Sequence, residues 1–330
     1  MSALRRRAVL AGTIGTTLSV PGIVNAQSMD KAADWPKGPI KFIVPFPPGG
    51  GTDPIARIIA AKLSDTTGWQ IVVENKPGAA GVVGASVAAK SPADGQTWLV
   101  TFDSHILSPA FASNLPYKES ELFNVMLVGR APLAVVCHPD RPYKDFTDVV
   151  ADARKRPGRV SIGMLSASQS LLLMTYIRQE AGLDVNFIYY KGGGPIAQDA
   201  LAGVTDVAIN TLVSVTPFFR TGRLRPLATT GEKRPAVLPD TPTLIEQGIK
   251  SYPTYSWWGI YVPSGTPRPI VDRMNAEIAK AVRSPDVTQK FVDQIHLEIL
   301  ASSPEEFAAF HKAEQERWFK IIKDNGIKAD

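Results

Sequence analysis

Pro45-Phe46-Pro47-Pro48-Gly49-Gly50-Gly51-Thr52-Asp53 follows an apolar run at residues 40–44 and precedes a segment in which Ile55, Ile58, Ile59 and Leu63 recur at helical spacing. Strand, glycine turn and helix therefore succeed one another within one short stretch. Asp53-Pro54 reads as an N-cap followed by proline at the first helical position. Three consecutive glycines let the backbone curl and expose its N–H groups, and the helix behind them adds a positive end. The segment has the makings of an anion cradle that uses no cationic side chain. No Gly-Lys-Ser/Thr closes it, so it is not a nucleoside-triphosphate loop. The plain alternative is a tight turn, with Asp53 capping the helix.

Outward from this stretch the same alternation continues. Apolar runs at 71–74, 97–101, 133–137, 160–164, 187–190 and 207–210 read as buried strands with helical patterns between them. Such alternation predicts a largely parallel, helix-covered sheet, hence an α/β fold. A second glycine turn, Asn75-Lys76-Pro77-Gly78-Ala79-Ala80-Gly81, follows the second strand; its spacing is wrong for a dinucleotide fingerprint. Two more strand-to-helix turns come from the middle of the chain, Ser166-Ala167-Ser168-Gln169-Ser170 and Tyr190-Lys191-Gly192-Gly193-Gly194. In open α/β sheets ligands sit beyond the carboxyl ends of strands, so these turns are expected to converge. Ser104 and His105 follow the 97–101 strand and are candidates for the same cleft. Ser303-Pro304-Glu305-Glu306 is a capping box opening a last helix that carries Phe307, Phe310 and Trp318.

The bulk properties narrow the class. Arg5, Arg6 and Arg7, an apolar stretch from Ala8 to about Val20, and Val24-Asn25-Ala26 form a secretory signal pattern with cleavage expected after Ala26, by the Sec or the Tat route. The whole chain has 36 basic against 31 acidic residues; without residues 1–26 and their three arginines it is 33 against 31, a net +2. No dense basic run suggests nucleic acid. Cys137 is the only cysteine and lies in an apolar run, so a buried structural thiol is expected. The four histidines, His105, His138, His296 and His311, lack metal-pair spacing, and no G-x-S-x-G elbow is present. No cofactor is expected.

In combination these motifs resemble one family. The segments are 43–53 continuing through Ala56-Arg57, Glu74-Asn75-Lys76-Pro77-Gly78-Ala79-Ala80-Gly81, Ser91-Pro92-Ala93-Asp94-Gly95, Tyr190-Lys191-Gly192-Gly193, Leu238-Pro239-Asp240-Thr241-Pro242-Thr243, Trp258-Gly259 and Pro263-Ser264-Gly265-Thr266-Pro267. The chain resembles the periplasmic substrate-binding proteins of tripartite tricarboxylate transporters, the Bug receptors. That resemblance implies a two-lobed, type II-like periplasmic-binding-protein fold, each lobe a mostly parallel sheet flanked by helices, with the ligand cleft between them. It implies a monomeric, non-catalytic receptor that binds a small carboxylate, commonly a dicarboxylate, and serves the transporter's membrane components.

The lobes are expected at 27–128 plus 233–330 and at 129–232, with hinges near Gly129–Pro132 and in the 231–239 loop. By the resemblance the first-lobe clamp comprises Phe46, Pro48, Gly49, Gly50, Thr52 and Asp53 together with Ala79, Ala80 and Gly81. The cleft candidates are completed by Ser104, His105, Ser166, Ser168, Gln169 and Asn210. Members of the family commonly have a histidine near Leu172 or Leu173 and an acid at the position of Asn210. These departures point to a less common ligand with an apolar or aromatic body. Two other classes stand as alternatives: a sensor subunit for a membrane kinase, which would use the same pocket, and a periplasmic carboxylate-ester hydrolase.

Overall fold

The computed structural model describes residues 34–112 and 114–327; the expected export signal at 1–26 lies outside them. The chain begins with β1 (Ile40–Val44), α1 (Thr52–Thr67), β2 (Ile71–Asn75), α2 (Val82–Ala89), β3 (Thr97–Phe102) and α3 (Ser104–Phe111). Here β1 lies between β2 and β3 and pairs parallel with both, Phe42 opposite Val73 on one side and Trp98 on the other. All six residues of β3 are buried, as a strand covered on both faces requires.

The chain then runs through β4 (Leu122–Cys137), α4 (Phe146–Lys155), β5 (Ser161–Leu165), α5 (Gln169–Ala181), β6 (Asn186–Tyr190), α6 (Gly193–Leu201), β7 (Val207–Thr211), α7 (Leu212–Arg220) and β8 (Arg225–Thr229). Strand β5 is parallel to both β6 and β7. The return is made by β9 (Tyr255–Pro263), α8 (Arg268–Val282), α9 (Pro285–Gln289), β10 (Glu298–Ile299) and α10 (Pro304–Asp324). The strand order is β2-β1-β3-β9-β4-β7-β5-β6, with β8 and β10 also paired to β4. Two parallel blocks are thus joined through an antiparallel β4–β9 pair, which gives the two-lobed α/β fold.

Gly129–Pro132, the expected hinge region, lies inside the longest strand: β4 continues through it, pairing with β9 up to Pro132↔Tyr255 and then with β7 from Leu133↔Thr211. Gly129 is there because β10 crosses it: an added Cβ would meet Glu298 O at 2.4 Å. Pro132 stands where β4 exchanges β9 for β7 as its partner, at the end of one ladder, where a missing N–H disturbs the pairing least.

The core falls into three clusters. One lies under α1 and α8 and includes Phe42, Ile59, Trp98 and Met274. A second, with Val135, Phe146, Ile162 and Leu173, fills the β5–β7 lobe and holds Cys137. Burial pushes that thiol up to about 11, the inert structural state. The third is closed by α10, whose capping box forms as expected: Ser303 Oγ accepts from Glu306 N and Glu306 Oε2 from Ser303 N. Phe307 and Trp318 of that helix are fully buried. Among the described residues no helix is long and apolar enough to cross a membrane.

Candidate functional site

The carboxyl ends of β1, β3, β5 and β7 point to one place, and each delivers a turn. From β1 comes Phe46 and the 50–52 turn; from β3, Asp103; from β5, Ser168 and Ser170; from β7, Asn210 and Thr211. All of them line a single cavity between the lobes, completed by Gly193, Ser214, Ser256, Trp258 and an apolar set that includes Phe102, Leu165 and Ile209. The cavity is narrow. Of about 480 Å³ of unfilled space, counting solvent at its mouth, about 30 Å³ admits the centre of a water molecule. That is room for about two waters.

The first wall is the glycine turn. Helix α1 begins at Thr52 and no side chain caps its first turn. Asp53 is therefore not the expected N-cap; it sits one residue inside the helix. Its carboxylate is held by Arg57 Nε at 3.0 and 3.1 Å and by Asn75 Nδ2 at 3.0 Å, which also donates to Phe46 O at 3.0 Å. This buried network fixes the shape of the 46–52 turn and turns Asp53 away from the cavity. Thr52 Oγ1 accepts from Trp258 Nε1 at 3.2 Å, so its hydroxyl is oriented by the returning strand.

The opposite wall comes from the second lobe. Asn210 Nδ2 donates to Gly193 O at 2.8 Å and its Oδ1 accepts from Thr211 N at 2.9 Å, so one amide locks the glycine turn to the end of β7. Thr211 Oγ1 and Ser214 Oγ are 2.9 Å apart. Ser168 is the N-cap of α5, accepting from Leu171 N; its hydroxyl donates to Leu165 O at 2.8 Å and lies 2.6 Å from Ser170 Oγ. The two lobes approach closely at glycines: a Cβ on Gly51 would meet Thr211 Oγ1 at 2.9 Å, and one on Gly194 would meet the Pro48 backbone O at 3.2 Å.

Five of the residues expected from sequence line the cavity: Phe46, Gly50, Thr52, Ser168 and Asn210. Pro48 and Gly49 line a neighbouring depression instead, with Gly194 and Pro195 across from them. Ala79, Ala80 and Gly81 form the turn behind Phe46, with Ala79 at φ 44° and Ala80 at φ 51°, and Ser104 Oγ donates to Ala80 O at 3.4 Å. Ser166 Oγ donates to Tyr190 O at 3.4 Å. Gln169 is fully buried, its amide set among Tyr255 O, Glu314 Oε2 and Trp318 Nε1. His105 faces away, stacked on Tyr117 with Nδ1 3.3 Å from the phenol oxygen; burial holds its imidazole down to about 3. One helical step from Ser104 turns it into the third core cluster.

Sequence reasoning passed over Asp103. It is 1% exposed, neither carboxylate oxygen has a partner in full hydrogen-bond geometry, and no described residue forms an ion pair with it. Desolvation pushes it up to about 7, opposed by the facing Ser256 hydroxyl and Gln169 N–H and aided by Glu314. Among the described residues no Lys or Arg lines the cavity. An acid directly after a fully buried strand was the available signal.

A protein-family model for the tripartite tricarboxylate transporter family receptor matches residues 55–327.

The chain belongs to the tripartite tricarboxylate transporter receptor family.

Among its relatives in this receptor family, Protein BugT of Bordetella pertussis is 34% identical over 323 residues, covering 97% of this chain and 98% of BugT. An R. palustris protein solved with adipate superposes with a TM-score of 0.85 at 31% identity, over 89% of this chain and 99% of the other. MatC from Rhodopseudomonas palustris, solved with bound malate, superposes with a TM-score of 0.81 at 26% identity, over 87% and 100%. This chain is accordingly a receptor of the same two-lobed type, with the strand ends and turns described above at the lobe junction.

Proposed function

We propose that the protein captures a small carboxylate in the cavity between its lobes and delivers it to the membrane components of a tripartite tricarboxylate-type transporter. The observation that carries this reading is a cleft wall made of an uncapped helix N-terminus behind three glycines, with no lysine or arginine in the lining. Backbone N–H groups and the positive helix end suit a carboxylate, and each charge-assisted hydrogen bond contributes about 1.5–3 kcal/mol. Family members solved with adipate and with malate support the same class.

In this reading residues 27–128 and 233–330 form the clamp lobe, and 129–232 form the lobe that sets selectivity. The working compartment is the periplasm, reached after loss of residues 1–26. The working form is the monomer. Phe46, Gly50 and Thr52 hold the carboxylate, Ser168 and Asn210 face it from the other lobe, and Asp53, Ala79, Ala80, Gly81 and Ser104 shape the turns. The cavity is too narrow for a dicarboxylate at its present width, so the lobes part about the β4–β9 pair on entry and close on the ligand. Closure excludes water and strengthens every polar contact inside.

A thermal-shift screen of the mature protein against mono-, di- and aromatic carboxylates tests this. Stabilisation by at least one carboxylate, without turnover of any ester, is expected. No shift with any carboxylate, or hydrolysis of an ester, would refute it.

A further inference from the structure

A receptor for a plain dicarboxylate has no evident use for a buried acid in its cleft. Asp103 is such an acid: both oxygens are inaccessible, neither has a partner in full hydrogen-bond geometry, and the side chain lines the cavity. Its position before α3 does not account for it, because the carboxylate makes no capping bond. Buried polar atoms are nearly always paired, and a buried unpaired charge is costly. The surroundings do not neutralise it. From β9 the Ser256 hydroxyl and from α5 the Gln169 N–H face it without closing a full hydrogen bond, and from α10 comes the carboxylate of Glu314, itself paired with Arg317 at 3.1 Å. The rings of Phe46, Phe102 and Trp258 wall the same cavity, and aromatic faces attract cations.

We propose that Asp103 is the receptor's subsite for a positively charged nitrogen, so that the ligand class is a zwitterion: a carboxylate held at the 50–52 turn and an ammonium held by Asp103 and the aromatic walls. This deepens, and rests on, the reading of the cavity as a carboxylate site. The polarity of the cleft then matches the ligand end to end. The glycine turn and helix end supply the positive pole, and Asp103 supplies the negative one. Binding supplies the partner that the carboxylate lacks, so the zwitterion gains where a dicarboxylate of equal length is repelled.

Calorimetric titration of the mature protein with two matched series separates the outcomes: adipate, 6-aminohexanoate and hexanoate, and succinate, 4-aminobutyrate and butyrate. At pH 8 the amino acid of a series is expected to bind at least tenfold more tightly than its dicarboxylate and monocarboxylate counterparts. Asp103→Asn is expected to erase that preference while leaving the monocarboxylate within about threefold. If the variant does not fold, the wild-type protein titrated at pH 5 serves instead; there the protonated acid should lose the same preference. A dicarboxylate binding best, or an amino-acid preference unchanged in Asp103→Asn, would overturn the proposal. So would dicarboxylate affinity that rises as the pH falls and becomes independent of pH in Asp103→Asn, which would make Asp103 a protonated donor. Binding by no member of either series would instead remove the carboxylate reading, and this inference with it.

Discussion

Gly51 of the first lobe approaches Thr211 of the second so closely that an added Cβ would stand 2.9 Å from Oγ1 and 3.1 Å from the Trp258 ring. The contact joins the turn after β1 to the end of β7. It exists only because a residue without a side chain is there.

Gly51→Ala should therefore hold the lobes apart. Overpacking of this kind costs about 1–3 kcal/mol, here charged to the closed form. Ligand affinity measured by titration calorimetry should drop roughly tenfold or more, since each 1.4 kcal/mol is tenfold. The melting temperature without ligand should move much less than that with ligand. Unchanged affinity would mean that the lobes do not meet here when ligand is bound.

Asn210→Ala should release the 192–194 turn, because one amide holds both Gly193 O and Thr211 N. Each lost bond is worth about 0.5–1.5 kcal/mol. Affinity should fall several-fold, and Asn210→Asp should fail to restore it, since a carboxylate has no N–H for Gly193 O. Full affinity in the aspartate variant would show that the amide donor is dispensable.

The 46–53 stretch was legible because glycine, proline and helical spacing are local signals, and they place β1, α1 and the turn correctly. Phe46, Gly50 and Thr52 followed from that. Asn210 and Ser168 were reachable because each ends a recognisable strand or starts a helix. What was not legible depends on pairings between distant segments. Residues 129–132 carry breaker residues, yet β9 pairs with them and β10 crosses Gly129, so the strand continues. Asp103 and His105 are two positions apart after a strand buried on both faces, where no alternation marks the side that meets the cavity. Asp103 turned out to line the cavity, and His105 packs into the core.

Asp103 also sets a pH dependence of stability. Its carboxyl is pushed from 3.8 up to about 7, so between these values the folded protein holds a proton that the unfolded chain has lost. Stability from this group is full below about 4, falls as the pH rises, and is gone above about 7, a change on the order of 4 kcal/mol. His105 and His311, buried and held down to about 3 and about 4, act in the opposite sense, with stability lost as the pH falls through about 6.5. The difference between Asp103→Asn and wild type isolates the acid. Without ligand, the variant should melt near the wild-type temperature at pH 4 and clearly above it at pH 8. A variant destabilised equally at both pH values would mean that the carboxylate is bonded within the fold.

Asp53→Ala should act through the turn. It removes the acceptor for Arg57 Nε and one acceptor for Asn75, which also holds Phe46 O. Because Arg57 is half exposed and these bonds are only partly buried, a loss of about 0.5–1.5 kcal/mol is expected, seen as a lower denaturation midpoint without ligand and a weaker ligand affinity. A variant of normal stability that binds normally would show that the network does not shape the clamp.

The proposed function stands on a carboxylate bound between the lobes by backbone rather than by a cationic side chain. A crystal structure of the mature protein with a carboxylate from the titration series decides this. A carboxylate is expected at the Gly50–Thr52 turn, held by N–H groups, water and the Thr52 hydroxyl, with Asn210 and Ser168 across the cavity. A carboxylate paired to an arginine or lysine, or bound outside this cavity, would contradict it.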